Sequence, residues 1–205
     1  MTNKLANILK GKIADLNFVG KLAGLTIIGE KAQPTDITGA FIVTKFPISV
    51  DSNYEECLNN ECFTDLVPNS NEKSVIYFED ISTTPVASKS GVNSYVSNLR
   101  LVAWINNRLI QSGNCMSINH ILITEIRKRL ESNYFNSDEF TRIRVNAYNV
   151  MINDPQIFKK YTYPIESVKF LMHPYEAFAI DFKVSYDISQ NCYDELILNP
   201  EVCES

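Results

Sequence analysis

The chain has few residues suited to nucleophilic chemistry, with two histidines and five cysteines in 205 residues. In the stretch GNCMSINH, Cys115 precedes His120 by five residues, and a thiol beside an imidazole could act as a nucleophilic pair. Cys115 lies before the expected start of a helix, however, and the sequence suggests no acidic third member. We therefore expect no catalytic site here.

A metal site would need several ligands at short spacing. His120 and His173 belong to neither an H-x-x-x-H nor an H-E-x-x-H pattern, which argues against a histidine-rich zinc site. Cys57 and Cys62 could supply two thiolates, but their partners would have to be distant cysteines. An odd number of irregularly spaced cysteines is typical of free thiols in a reducing compartment. We expect neither a metal nor a cofactor.

The stretch GLTIIGEK, residues 24–31, resembles a phosphate-binding P-loop because its two glycines lie five residues apart. A carboxylate, Glu30, separates the second glycine from Lys31, and Ala32 stands where a metal-binding hydroxyl is needed. Since this carboxylate would repel phosphate, we expect a plain loop. The remaining acidic pairs lie in polar connections, where charges are usually solvated, so we expect the chain not to be an enzyme.

The composition is that of an ordinary globular domain, with 45% hydrophobic and 21% charged residues. A net charge of −5 gives no reason to expect tight nucleic-acid binding. The N-terminal stretch lacks the continuous apolar core of a signal peptide, and no segment approaches the ~18 apolar residues of a membrane span. We expect synthesis in a cytoplasm, one domain over residues 1–188 and an acidic arm over residues 189–205.

Hydrophobic periodicity predicts the elements that would position any site. Apolar residues at spacings of three to five predict an N-terminal helix over Asn3–Leu16, and a central helix over Ser117–Leu130 has Ile118, Ile121, Leu122, Ile126 and Leu130 on its buried side. Strands are predicted at TGAFIVTKFPI (ended or bent by its proline), SVIYFEDI, SYVSNLRLVAWINNRLI, TRIRVNAYNVMIN and AFAIDFKVSYDI, with SVKFLM pairing to the last one as a hairpin. The order predicts an α+β domain with an antiparallel sheet and helices on one face.

The strand SYVSNLRLVAWINNRLI carries apolar side chains on both faces. Its second face includes Arg100, Val102 and Trp104, although a sheet with helices on one side needs only one apolar face. Long polar connections are predicted at 20–38, 51–73, 82–93 and 189–205, where compact domains usually have ~4–6 residues. The second face is therefore covered either by these connections or by another subunit.

In element order the chain resembles the tail-terminator and neck (head-completion) ring proteins of tailed bacteriophages, in which an antiparallel sheet is packed by an N-terminal and a central helix. The segments that carry the likeness are Asn3–Leu16, Val75–Asp80, Tyr95–Ile105, Ser117–Leu130, Ile143–Met151 and Phe178–Asp187. The composition rich in Asn and Ile, together with the long inserted loops, is more specifically similar to that of the virion ring proteins of crAss-like phages. The long 51–73 insertion departs from the minimal fold.

The resemblance implies a structural virion protein, made in the host bacterial cytoplasm and located in the neck or tail. It implies a homo-oligomeric ring of about six or twelve copies, with twelve favoured, that contacts the portal and other tail proteins while DNA passes through its lumen. It implies no membrane and no sequence-specific DNA binding. The expected subunit-contact residues are Pro85, Lys89, Tyr95, Arg100 and Trp104, although plain core packing is an equal alternative for Trp104.

Two other classes of function stay open at this stage. One is a small-molecule or carbohydrate-binding module, in which Tyr161, Tyr163 and Tyr175 would stack on the ligand. The other is an enzyme of unrecognised type, and the only features that favour it are the Cys115/His120 and Cys57/Cys62 spacings.

Overall fold

The structure, a computed structural model, describes residues 1–34, 41–51, 65–89, 92–112, 116–131, 135, 137, 140–163 and 165–189. Its helices are α1 (Thr2–Ile13), α2 (Asn107–Ile110), α3 (Asn119–Glu131) and α4 (Ile165–Val168), with 3₁₀ turns at Pro155–Ile157 and Lys169–Leu171. Its strands are β1 (Lys21–Pro34), β2 (Phe41–Ser49), β3 (Ser74–Lys89), β4 (Val92–Asn106), β5 (Thr141–Ile152) and β6 (Tyr175–Ser189).

The strands form one six-stranded sheet in the order β2-β1-β3-β4-β6-β5. The expected α+β class is confirmed, but the sheet is mixed rather than antiparallel, because β1 pairs parallel to β3. The prediction of a loop at 20–38 was wrong: residues 21–34 are β1. The strand around Pro47 is confirmed and continues to Ser49, since a proline is tolerated in an edge strand such as β2.

The first face of the sheet is covered by α1 and α3, as predicted. In α1, Leu5, Leu9 and Ile13 lie at spacings of four and are fully buried. In α3 the predicted Leu122, Ile126 and Leu130 are buried, but Ile121 is exposed and Ile123 is buried instead. The buried stripe of α3 begins at Asn119, and position 121 lies outside its spacing of three to four residues.

The second face of the sheet is covered by other segments of the same chain. Val102 and Trp104 of β4 are buried in a second hydrophobic cluster with side chains from β2, from the segment before β3 and from the segment after β5. These contributors include Phe46, Leu66 and Ile157. At this end of the sheet, the surplus apolar face of β4 is therefore part of a second core.

The prediction of a long connection at 82–93 was also wrong, because β3 continues to Lys89 and β4 begins at Val92. The two strands pair from Ser74↔Ile105 to Lys89↔Val92, with irregularities after Asp80 and Pro85. The small polar residues of this stretch are typical of loops, but they follow a long partner strand. Pairing with β4 decides their conformation.

The predicted hairpin between SVKFLM and the last strand was wrong. Residues 165–171 form α4 and a 3₁₀ turn, whereas β6 pairs with β4 and β5. The alternation predicted for β6 is confirmed, with Phe178, Ile180 and Phe182 buried on the first face. Residues 52–64, the arm after Ser189 and all five cysteines lie outside the described residues.

Candidate functional site

Trp104, predicted as a contact residue, lies in the core of its own chain. Its side chain is 1% exposed, and its indole Nε1 donates a hydrogen bond to the carbonyl oxygen of Phe170 at 2.6 Å. The indole ring stacks on Tyr175 with 5.2 Å between the ring centroids. The alternative of core packing therefore holds for Trp104, which offers a partner almost no surface.

Arg100 is committed to an internal ion pair. Its Nε and Nη2 atoms donate to the two carboxylate oxygens of Asp181, which is almost fully buried and also accepts from Asn149. The hydrogen bond that the guanidinium donates to Asp181 raises the pKa of Arg100 above its usual value. Because the Nε–Nη2 side of the guanidinium is bound to Asp181, Arg100 cannot use that side for a bidentate pair with a carboxylate of another subunit.

The other predicted contact residues lie along the far half of the β3–β4 hairpin. Pro85 is exposed and pairs in register with Tyr95 on β4, which is half-buried and stacked on Tyr186. Lys89 is the last residue of β3 and lies opposite Val92. The fold thus brings Pro85 and Tyr95 together and separates both from Trp104.

The sheet divides into two arms where the pairing between β1 and β3 ends. The parallel pairing of β1 with β3 ends at Thr26↔Glu79, and both strands then continue in the same direction. We call residues 27–34 with 41–45 the first arm, and residues 81–89 with 92–98 the second arm. Among the described residues, β2 is the only strand that pairs with the β1 half of the first arm.

Both arms expose branched apolar side chains. In the first arm these are Ile27, Ile28, Ile42 and Val43, and in the second arm Ile81, Val86 and Val92. Val86 is 63% exposed and Ile42 56%, values far above those of a core residue. The first arm is anchored at its base by paired backbone hydrogen bonds between Lys45 and Thr162. Since an isolated two-stranded ribbon is only marginally stable in water, the first arm gains from being covered, whereas the second arm is already held in the sheet by the pairing of β4 with β6.

Sequence reasoning missed the arms because one strand of each, 27–34 and 82–89, was taken as part of a loop. Branched apolar residues were present in GLTIIGEK and at Val86, but they do not alternate regularly, and glycines, a proline and small polar residues surround them. Pairing over such segments depends on the neighbouring strand and is not encoded locally.

A buried polar group holds the segment after β5 against the second face. Glu79 is 4% exposed, accepts a hydrogen bond from Tyr161 Oη at 2.6 Å and pairs with Lys160 Nζ at 2.8 Å. Tyr161 stacks on Tyr163, and burial raises the pKa values of both phenols well above the usual range. Tyr161 and Tyr163 therefore pack inside the protein and are not available to stack on a ligand.

Tyr175 is the one of these three tyrosines that lines a cleft. The cleft encloses about 530 Å³ between the start of β6 and the segment around Asp154–Lys159. Such a volume falls within the range of small-ligand sites, roughly 300–1,000 Å³. This cleft lies beside the second core, whereas the exposed apolar residues of the two arms do not line it.

Chemical groups for catalysis are sparse in the described part of the chain. His120 lies exposed in the first turn of α3, while the predicted partner Cys115 is outside the described residues. No three His, Cys, Asp or Glu side chains in the ranges described lie in positions to hold a metal ion. None of the described helices combines the length and the apolarity needed to cross a membrane. No protein-family model matches the sequence, and no curated protein matches it either.

Proposed function

We propose that the chain is a structural subunit of a closed ring in the neck or tail of a tailed bacteriophage virion, where it joins the portal to the tail around the DNA conduit. The observation that carries this proposal is the pair of arms, which expose seven branched apolar side chains outside both cores. Exposed apolar surface of this kind marks a contact with another protein.

Two different apolar surfaces on one chain favour a head-to-tail contact. In such a contact the surface of one subunit meets a different surface of the next, and a ring results when the rotation closes. The first arm of one subunit and the second arm of its neighbour are the surfaces we assign to this contact. The element order, with α1 and α3 packed on one face of the sheet, resembles that of the ring proteins, although the parallel pair of β1 and β3 departs from their antiparallel sheet.

The exposed edge of β3 favours contact through side chains rather than strand addition. Pro85 has no amide hydrogen to donate, and irregularities after Asp80 and Pro85 interrupt the ladder. Devices of this kind prevent uncontrolled pairing of sheet edges. Contact through Ile81 and Val86 would let subunits associate without opening a route to fibres.

The charge of the chain supports passage of DNA without binding. A net charge of −5 gives no general attraction to phosphate, and the exposed cations of α3 are paired with acids, such as Lys128 with Glu125. A conduit that attracted the DNA backbone would slow its transfer.

The test is assembly on the portal protein encoded in the same genome. The purified chain is mixed with that portal and examined by negative-stain microscopy and light scattering, as wild type and as Ile42→Asp and Val86→Asp. We expect the wild type to add a ring to the portal and each variant to lose it, because a charge cannot be buried in an apolar contact without large cost.

Ile121→Asp is the matched control. Ile121 is as exposed as the arm residues but lies on α3, which belongs to neither arm, so its variant is expected to assemble like the wild type. Circular dichroism checks that all three variants are folded. The proposal is overturned if the wild type stays monomeric with the portal, or if the genome encodes no portal, or if the arm variants assemble as well as the control.

A further inference from the structure

The first arm has a strand edge with which no described strand pairs. Lys45 of β2 exchanges two backbone hydrogen bonds with Thr162, so its amide and carbonyl face away from β1. In an antiparallel pair, two residues directly opposite each other either bond to each other or both face outward, and Glu30 lies opposite Lys45. Glu30 therefore faces away from β2 and toward the space between the two arms, and by alternation so do Ile28 and Ala32. We call these three residues the free edge of β1.

The free edge of β1 lacks the features that protect the opposing edge. The pairing of β1 with β2 is regular from Thr26 to Pro34, and proline occurs only at the last position of the strand. The opposing edge of β3 carries Pro85 and two irregularities. A regular and unprotected edge readily pairs with another strand, and natural proteins usually cover such edges. The free edge is therefore a site for an added strand.

A strand at the free edge needs apolar side chains on both of its faces. Ile27 and Ile28 are exposed, and as successive residues of a strand they point to opposite faces. Ile42 and Val43 repeat this arrangement on β2. Because both faces of the first arm are apolar, the added strand should carry consecutive apolar residues rather than an alternating pattern.

The C-terminal segment of the chain has this pattern. Leu196, Ile197 and Leu198 follow one another, and Pro200 limits the run. They belong to residues 190–205, which continue from Ser189 outside the described part of the chain. This segment of the same chain thus has the side chains that the free edge requires.

The C-terminal segment begins close enough to reach the free edge of its own chain. Ser189 lies opposite Val92, and Val92 lies opposite Lys89, so β6 ends where the second arm ends. From β6, the space beside β3 is three strand positions away, roughly 14 Å. Residues 190–195 span up to roughly 20 Å when extended. Since β1 runs toward the same end of the sheet, a strand that enters from there runs antiparallel to it.

We propose that residues 195–199 pair antiparallel with the free edge of β1 in the same chain and fill the space between the two arms. The pairing satisfies the amides and carbonyls of the free edge. The apolar run Leu196–Leu198 covers Ile27 and Ile28 on both faces. The proposal is independent of ring assembly, because the segment and the edge belong to one chain.

Amide hydrogen exchange tests the pairing residue by residue. It is followed by NMR on the full chain, in reducing buffer and at concentrations where the chain is monomeric. In the wild type we expect slow exchange at Ile28, Glu30 and Ala32, and also at Gly29 and Lys31, whose amides bind β2. Without the added strand, only Gly29 and Lys31 would be protected.

A charge in the apolar run identifies the covering segment. Ile197→Asp places this charge in the middle of the run, and Val202→Asp, beyond Pro200, is the matched control. We expect Ile197→Asp to accelerate exchange at the free edge at least about tenfold and to leave Gly29 and Lys31 unchanged, while Val202→Asp behaves like the wild type.

Four outcomes contradict the proposal. They are free exchange at the free edge in the wild type, unchanged protection in Ile197→Asp, an equal loss of protection at Gly29 and Lys31, and protection that disappears on dilution. The last would mean that the covering strand comes from a second copy of the chain.

Discussion

Arg100 and Asp181 lie opposite each other on β4 and β6, and the guanidinium binds the carboxylate through Nε at 2.6 Å and Nη2 at 3.1 Å. The arginine side chain is 25% exposed and the aspartate 5%. The sequence separates the partners by 81 residues, so their pairing is a property of the fold. The second face of the sheet thus has an apolar part around Trp104 and an ionic part beside it.

The first prediction concerns this ion pair. Arg100→Met leaves the Asp181 carboxylate buried with only Asn149 as a side-chain donor, so the free energy of unfolding should fall by about 2–3 kcal/mol. Urea denaturation measures it. The double variant Arg100→Met/Asp181→Leu should lose less than Arg100→Met alone, because it leaves no unpaired charge.

The control for this prediction is an exposed pair of the same type. Lys128→Met breaks the Lys128–Glu125 pair on the surface of α3, and we expect a change within about 0.5 kcal/mol. Equal losses for Arg100→Met and Lys128→Met would contradict the structural role assigned to the buried pair.

The second prediction separates two buried tyrosines. Tyr161→Phe removes the hydrogen bond to the Glu79 carboxylate and should cost about 2 kcal/mol of stability. The hydroxyl of Tyr77 is buried beside the phenols of Tyr161 and Tyr163, but it has no hydrogen bond of good geometry among the described atoms, so Tyr77→Phe should be neutral or slightly stabilising. Both variants remove one phenol hydroxyl, and thermal denaturation measures the stability of each. A larger loss of stability for Tyr77→Phe than for Tyr161→Phe would contradict the assignment.

The elements that could be predicted from the sequence are those whose own pattern decides their structure. β6 alternates from Phe178 to Tyr186 and α1 repeats apolar residues every three to five positions, so burial and local propensity agree. β1 has glycines at 24 and 29 and lacks regular alternation, and its strand conformation depends on pairing with β2 and β3. Such pairing is a tertiary effect that no local window contains.

The same reason limits the prediction of contact residues. Trp and Arg are the residue types that interfaces favour, and the expectation for Trp104 and Arg100 followed from type alone. Their partners, the Phe170 carbonyl and Asp181, lie 66 and 81 residues away, beyond the reach of any local pattern. Pro85 is exposed, in keeping with its position in a stretch of small polar residues, but it belongs to β3 rather than to the predicted loop, and its role in a subunit contact stays a prediction.

The third prediction concerns stability at high pH. Burial raises the pKa of Tyr77, Tyr161 and Tyr163 well above the usual value of about 10, so these phenols stay protonated in the folded protein when they ionise in the unfolded chain. The folded state then binds more protons, and stability must fall as the pH rises above about 10. Each phenol contributes about 1.4 kcal/mol per pH unit to that slope.

Tyr77→Phe tests the sign and the size of this effect. It removes one of the three ionising groups, so the loss of stability per pH unit above pH ~10 should decrease by about 1.4 kcal/mol. Urea denaturation at several alkaline pH values measures the slope. A slope unchanged by Tyr77→Phe would mean that the phenol ionises equally in both states and is not buried as described.

The fourth prediction compares two glycines, one with backbone atoms close to the position of an added Cβ and one with open space there. Gly20 precedes β1, and its amide donates to Ser74 Oγ, which in turn donates to the carbonyl of Phe18. A Cβ at Gly20 would lie 2.7 Å from the backbone oxygen of Ser74, and a backbone atom cannot move aside as the end of a side chain can. Gly20→Ala should therefore separate the start of β1 from β3 and cost about 1–3 kcal/mol.

Gly11→Ala is the counterpart in α1. A Cβ at Gly11 meets nothing within 4 Å, and alanine favours the helix by about 0.5–1 kcal/mol, so this variant should be more stable than the wild type. Urea denaturation of both variants measures the change in the free energy of unfolding. If this change has opposite signs in the two variants, the loss at Gly20 reflects a steric requirement at the β1–β3 junction and not a general effect of the methyl group. If Gly20→Ala were also stabilising, β1 could not lie as close to the backbone of β3 as the parallel pairing requires.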